Sequence, residues 1–158
     1  MRTWYRGAIV STNAADGASL IESSFRADEN KPGNFEVLVP EVGATPLVYN
    51  LVHYWRDNSD PNLSWHRGVV VSPSAEGPAS LIESSFRADK SKPGNFEALV
   101  LEATGDGPGN LVHYWRDNSD ANLPWYRGAV VSSFPDGPAC LMESSFRATK
   151  ANQDISRL

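Results

Sequence analysis

Four kinds of side chain recur together along this 158-residue chain: tryptophan, arginine, glutamate and asparagine. One set is Glu22, Arg26, Trp55, Arg56, Asn58, Trp65 and Arg67. The other, 60 or 61 residues later, is Glu83, Arg87, Trp115, Arg116, Asn118, Trp125 and Arg127. A flat indole can stack on the C–H face of a sugar ring, while planar guanidinium groups and ionised carboxylates give hydroxyls strong, directional hydrogen bonds. The same residue types also build sheet interiors, where indoles pack and a Glu22–Arg26 pair would close as an ion pair. Two equivalent sets point to repeated surface sites for a polyhydroxylated ligand rather than to one active site.

Other chemistries are poorly supplied. His53 and His113 stand mid-strand beside Tyr and Trp, and His66 becomes Tyr126 in the next copy. There is no G-x-S-x-G, no H-E-x-x-H and no Cys/His metal spacing. Glu22 and Glu36 could form a hydrolase-like carboxylate pair, but every copy would carry it. Residues 57–60 (DNSD, again at 117–120) lack the spacing and bidentate glutamate of a calcium loop and read as a polar turn. The expectation is a non-enzyme with no cofactor and no metal.

What must position these side chains is a repeat. SLIESSFR at 19–26 returns at 80–87, and as CLMESSFR at 140–147. HYWRDNS at 53–59 returns at 113–119. Trp65-His-Arg-Gly matches Trp125-Tyr-Arg-Gly and Trp4-Tyr-Arg-Gly. Self-similarity at a fixed period marks a repeat architecture. Each unit splits into four short runs bounded by Gly, Pro, Asn and Asp: residues 18–26, 34–40, 51–56 and 65–72. Runs of this length, rich in Val, Phe, Tyr and Trp, are strands, and no ten-residue window carries a helical apolar period. In the second run Phe35, Val37 and Val39 share one face and Glu36 and Leu38 the other. In the third, Leu51, His53 and Trp55 oppose Val52, Tyr54 and Arg56. Apolar bulk on both faces predicts strands covered on both sides.

The fold expected is all-β, built of propeller-like blades of four antiparallel strands. Residues 1–148 form the repeat domain, with units at about 18–78 and 79–138, partial units at 4–11 and 139–147, and a non-repeat tail at 149–158. That makes ten strands, or two and a half blades. A lone arc of this kind would expose apolar blade faces, so the expected partner is the chain itself, a homo-oligomer that completes the ring, with a dimer as first choice.

The ordered set GPA-x-L, GNFEVLV, NLVHYWRDN and WHRG resembles the blade of tectonin-like propeller lectins, which include bacterial fucose-binding lectins. The resemblance covers about residues 4–147. It implies glycan binding, without catalysis, at sites repeated between blades or at loop ends. The blades here are longer, and that family normally places all its blades in one chain. The alternative is a protein-interaction scaffold, or a self-assembling propeller fragment with no specific ligand.

Composition narrows the partners further. Hydrophobic residues make up 41% of the chain, and its net charge of −5 comes from interleaved acids and bases. This offers no basic face for nucleic acid and no polybasic patch for membranes. No apolar run reaches the ~18 residues of a membrane span. No signal peptide is evident at the N-terminus, which makes a cytoplasmic location the default. Cys140 is the single cysteine, so no internal disulfide can form; it replaces Ser19 and Ser80 and reads as a small strand residue. Asn62-Leu63-Ser64 is a formal glycosylation sequon, but its counterpart is Asn122-Leu123-Pro124, and it is taken as chance.

Overall fold

Among the described residues, eight antiparallel strands form one sheet that does not close on itself. The computed structural model describes residues 7–26, 28–88, 90–105, 107–135, 137 and 139–144. The first unit comprises β1 (Ser19–Glu22), β2 (Phe35–Thr45), β3 (Val48–Arg56) and β4 (His66–Ala75). The second comprises β5 (Ser80–Glu83), β6 (Phe96–Glu102), β7 (Asn110–Arg116) and β8 (Trp125–Ser133). Within each unit consecutive strands pair antiparallel, and equivalent residues face each other in both units, such as Leu38 with His53 and Leu99 with His113. No helix is present among the described residues.

The chain is thus all-β, as the repeated runs predict, but ten strands are not found. Residues 7–11 and 139–144 carry no strand, and the rest of those two expected runs, like the tail at 149–158, lies outside the described residues. A run becomes a strand only beside a partner edge. β1 has β2, whereas residues 139–144 have no following run to pair with among the described residues. The first run also shortens to four residues, while β2 and β3 lengthen into a hairpin around Pro46 and Leu47, the latter at a φ of 66°. β2 passes straight through Pro40 because that residue needs no donor there. Its carbonyl accepts the Ala15 N–H at 2.9 Å, on the side away from β3.

Glycine fixes the approach to the second strand of each unit. A Cβ on Gly33 or Gly94 would lie 1.8 Å from the carbonyl oxygen of Ser23 or Ser84. Only glycine lets the chain fold back so closely.

Side-chain alternation sorts each unit into two faces. Phe35, Val37, Val39, Tyr54 and Arg56 share what we call the head face; Glu36, Leu38, Leu51, His53 and Trp55 share the tail face. The tail face of the first unit packs on the head face of the second. Leu38 and Leu51 meet Leu81, Phe96, Ala98, Val100, Val112 and Tyr114 in the main core. Val37, Val39, Val52 and Tyr54 form a smaller core on the first unit's own head face, with Val10 and Trp65 against it. Both faces of β2 and β3 are therefore apolar and covered, as their pattern predicts.

The units are stitched at two further places. β1 and β5 lie side by side, with the Leu81 N–H donated to Ser19 Oγ at 3.1 Å. The end of β4 meets β6 at Ala75–Glu102, with the Glu76 N–H reaching the Leu101 carbonyl at 2.8 Å. The bridge from Ala14 to Glu41 is the same contact one unit earlier.

Candidate functional site

A cavity of about 290 Å³ opens where the two units meet. The first unit supplies Phe25, Asn34, Glu36, His53, Trp55, Gly68 and Val69. The second supplies Arg116, Asn122 and Leu123. Its volume lies at the low end of the range for small-molecule pockets.

Its floor is a buried histidine–carboxylate pair. His53 Nε2 lies 2.8 Å from Glu36 Oε2, and both side chains are almost wholly inaccessible. Glu36 also accepts a hydrogen bond from Ser23 Oγ at 3.2 Å. Burial pushes the His53 imidazole below its ordinary value, and the Arg116 charge adds to this, against the stabilising carboxylate. The neutral ring therefore donates its Nε2–H to Glu36. Arg116, buried from the other side, sits 4.3 Å over the Phe96 ring and near Trp125 and Phe25. Desolvation lowers its pKa to about 10, partly offset by Glu36. Its Nε donates to Asn118 Oδ1 at 2.6 Å, and Asn118 Nδ2 donates to the Gly94 carbonyl. A guanidinium so held is a rigid fork of donors.

The cavity wall is apolar and aromatic. Trp55 is about one-third exposed and stacks on His66 at 4.3 Å between ring centroids. Trp115 stacks on Tyr126 in the same way at 4.6 Å. This explains why His66 can become Tyr126: each presents a flat ring to the indole. Leu123 holds a left-handed backbone with φ of 48°, as Leu63 does at 49°. Such conformations are costly for a branched side chain and cluster at functional sites. Asn34 Oδ1 is buried on this cavity without a hydrogen-bond partner, and Trp125 Nε1 beside His53 likewise has none. Unmatched buried acceptors and donors are uncommon.

Of the candidate residues, Trp55 and Arg116 line the cavity and Trp125 packs behind it. Asn58 and Asn118 instead brace Arg56 and Arg116. Arg56 lies over Phe35 and Trp65 on the head face of the first unit. Arg67 and Arg127 turn to different carboxylates, Glu41 and Glu102, at 2.9 and 2.8 Å.

Glu22 and Arg26 do not pair as the sequence suggests. Glu22 accepts the Gly33 N–H at 3.1 Å, and Glu83 accepts both the Gly94 N–H and, across the unit boundary, the Ser24 N–H. Arg26 and Arg87 line an open groove below β1 and β5. A Glu22–Glu36 carboxylate pair is also absent. Glu22 pairs with Phe35 and Ile21 with Glu36, so adjacent register positions send the two carboxylates to opposite faces. The DNSD loops are turns: Asp57 Oδ1 accepts the backbone N–H and hydroxyl of Ser59 at 2.7 and 2.6 Å, and Asp117 does the same with Ser119.

The sequence reading passed over the Glu41 and Glu102 clusters. Glu41 accepts hydrogen bonds from Tyr54, Arg67 and Ser11; Glu102 from Tyr114, Arg127 and Ser72. Burial opposes ionisation of each, and these bonds outweigh it, holding both carboxyls below the ordinary value. The available signal was the doubled Glu spacing, 36 and 41 then 97 and 102, whose odd and even positions fall on opposite faces.

No family model, curated protein or solved structure matches the chain.

Proposed function

We propose that the chain is a non-catalytic lectin whose sugar site is the cavity between its units, and that the units are propeller-like blades of the tectonin-like kind. What carries this reading is the pairing of an exposed indole, Trp55, with an unmatched Asn34 acceptor and a fixed Arg116 fork around one cavity. A pyranose needs such a set: an apolar wall for its C–H face, and fixed donors and acceptors for its hydroxyls. The Glu36–His53 pair is already mutually satisfied, which suits binding better than proton transfer. Repetition of the same residues implies further sites when units join in a ring, first of all in a homodimer. Weak single sites would then gain avidity of roughly two to four orders of magnitude on a glycan-bearing surface.

The test is a tryptophan-fluorescence titration with a panel of monosaccharides, followed by a glycan array. A saturable response is expected, weakened about tenfold or more by Trp55→Ala, with an unchanged circular dichroism spectrum. Absence of any sugar response from folded protein overturns the reading and leaves the scaffold alternative.

A further inference from the structure

We infer that two copies of this chain join head to tail, the tail face of one copy's second unit seating on the head face of the next copy's first unit. The inference rests on reading the units as equivalent blades, not on sugar binding. The chain contains one such junction, and its two outer faces carry counterparts of most of that junction's residues, although Val10 of the same chain already packs on the Val37, Val39, Val52 and Tyr54 cluster of the head face.

On the tail side, Glu36, Leu38, His53 and Phe25 correspond to Glu97, Leu99, His113 and Phe86. His53 is 3% exposed under the second unit, while the matching His113 side chain is 34% exposed and Phe86 72%. His113 still keeps its carboxylate, with Nε2 2.7 Å from Glu97. On the head side, Leu81, Phe96 and Arg116 correspond to Leu20, Phe35 and Arg56. Leu81 is 3% exposed against 56% for Leu20. Arg56 already lies over Phe35 at 4.7 Å, as Arg116 lies over Phe96. An apolar knob, Phe86, thus awaits the Phe35–Arg56 stack, as Phe25 meets Phe96 and Arg116 at 5.9 and 5.8 Å inside the chain. The charges match as well: a buried-type Glu–His pair on one face, and a guanidinium on the other.

At the junction two positions are claimed twice. The segment after β8 meets residues 13–15 of the next copy, which hold the Glu41 edge as residues 74–76 hold Glu102 and must move aside. Residues 139–144 of one copy also compete with Ser19–Glu22 of the next. Residues 139–144 yield, because they belong to no strand. They are tied to β5 by the Leu141 N–H on Ser80 Oγ and the Ser85 N–H on Glu143, whereas Ser19–Glu22 pairs with β2 over its whole length. Seated in this way, Glu97, His113 and Trp115 of one copy would face Arg56, Asn62 and Leu63 of the next, rebuilding the inter-unit cavity. The contact is heterologous, so it propagates until a ring closes.

Two surface substitutions test this, since Leu20 and Phe86 are exposed within one chain: Leu20→Asp spoils the head and Phe86→Asp the tail. Light scattering on size-exclusion eluates should show the parent chain rising above monomer mass with concentration. Each variant alone should remain monomeric. An equimolar mixture should form a 1:1 dimer, because one intact head then meets one intact tail. A parent that stays monomeric at all concentrations overturns the proposal, as does a Phe86→Asp variant that associates like the parent, or a mixture that stays monomeric. The mass is measured without sugar, so failure here leaves the fluorescence titration of the internal cavity standing.

Discussion

His53, Glu36 and Arg116 line one cavity, and the protonation of His53 couples stability to mildly acidic pH. Burial places the His53 pKa below its ordinary 6.5, so the unfolded chain binds this proton more readily than the folded one. Stability is complete above pH 6.5 and declines as pH falls from there toward the folded value. His53→Gln keeps a donor for Glu36 and removes the titration. Urea midpoints measured from pH 7 to pH 5 should fall for the parent and stay flatter for this variant; equal slopes would refute the assignment. Glu41 and Glu102 act in a separate, more acidic window. Their folded pKa values lie below the ordinary 4.5, so the stability they add is present above 4.5 and lost as pH drops through the folded values. Glu102→Ala strands the Tyr114 hydroxyl and Ser72, both buried, beside a half-exposed Arg127. It should cost about 2–4 kcal/mol in chemical denaturation, most of it from unmet buried groups rather than from the solvent-screened arginine.

The strands show why some of this could be read directly and some could not. Alternation in NFEVLVP and LVHYWR placed Phe35, Val37 and Val39 opposite Glu36 and Leu38, and the register keeps that division through β2 and β3. Period two is a local property of the chain, so it survives folding unchanged. The partner of Glu22 is not local. It is decided by a turn that brings Gly33 beneath it, and spacing along the chain carries no trace of that approach. The same holds for the cavity. Trp55 and Arg116 were both legible as candidates, but nothing in the sequence says that a residue from one unit faces a residue from the next. The Pro-Gly pair before each second strand was visible as a turn signal, and its steric reason now gives a prediction. Gly94→Ala would place a Cβ against the Ser84 carbonyl, next to β6 in the main core. It should cost more than about 2 kcal/mol, or prevent folding, whereas Gly137→Ala, whose Cβ meets nothing within 4 Å, should leave the midpoint nearly unchanged.

At the scale of the whole molecule, the two units share a core rather than each owning one. Phe96 belongs to the second unit by sequence, yet it is wholly buried between Phe25 and His53 of the first and Trp125 and Arg116 of its own. Repeat proteins gain stability from such interfaces between neighbours, and a unit that has lost its neighbour exposes the face that held it. The described chain should therefore unfold in one transition, because separating the units uncovers Leu38, Leu51, Leu81 and Phe96 together. Phe96→Ala should lower stability by roughly 3–5 kcal/mol, the usual cost of emptying a buried aromatic site. The loss should appear as a shift of one cooperative curve, with tryptophan fluorescence and circular dichroism changing together. Two separated transitions in the parent would mean that the units fold independently. The shared core would then be a contact between finished domains, and an outer face matching half of that contact would lose its force as a place for a second copy to dock.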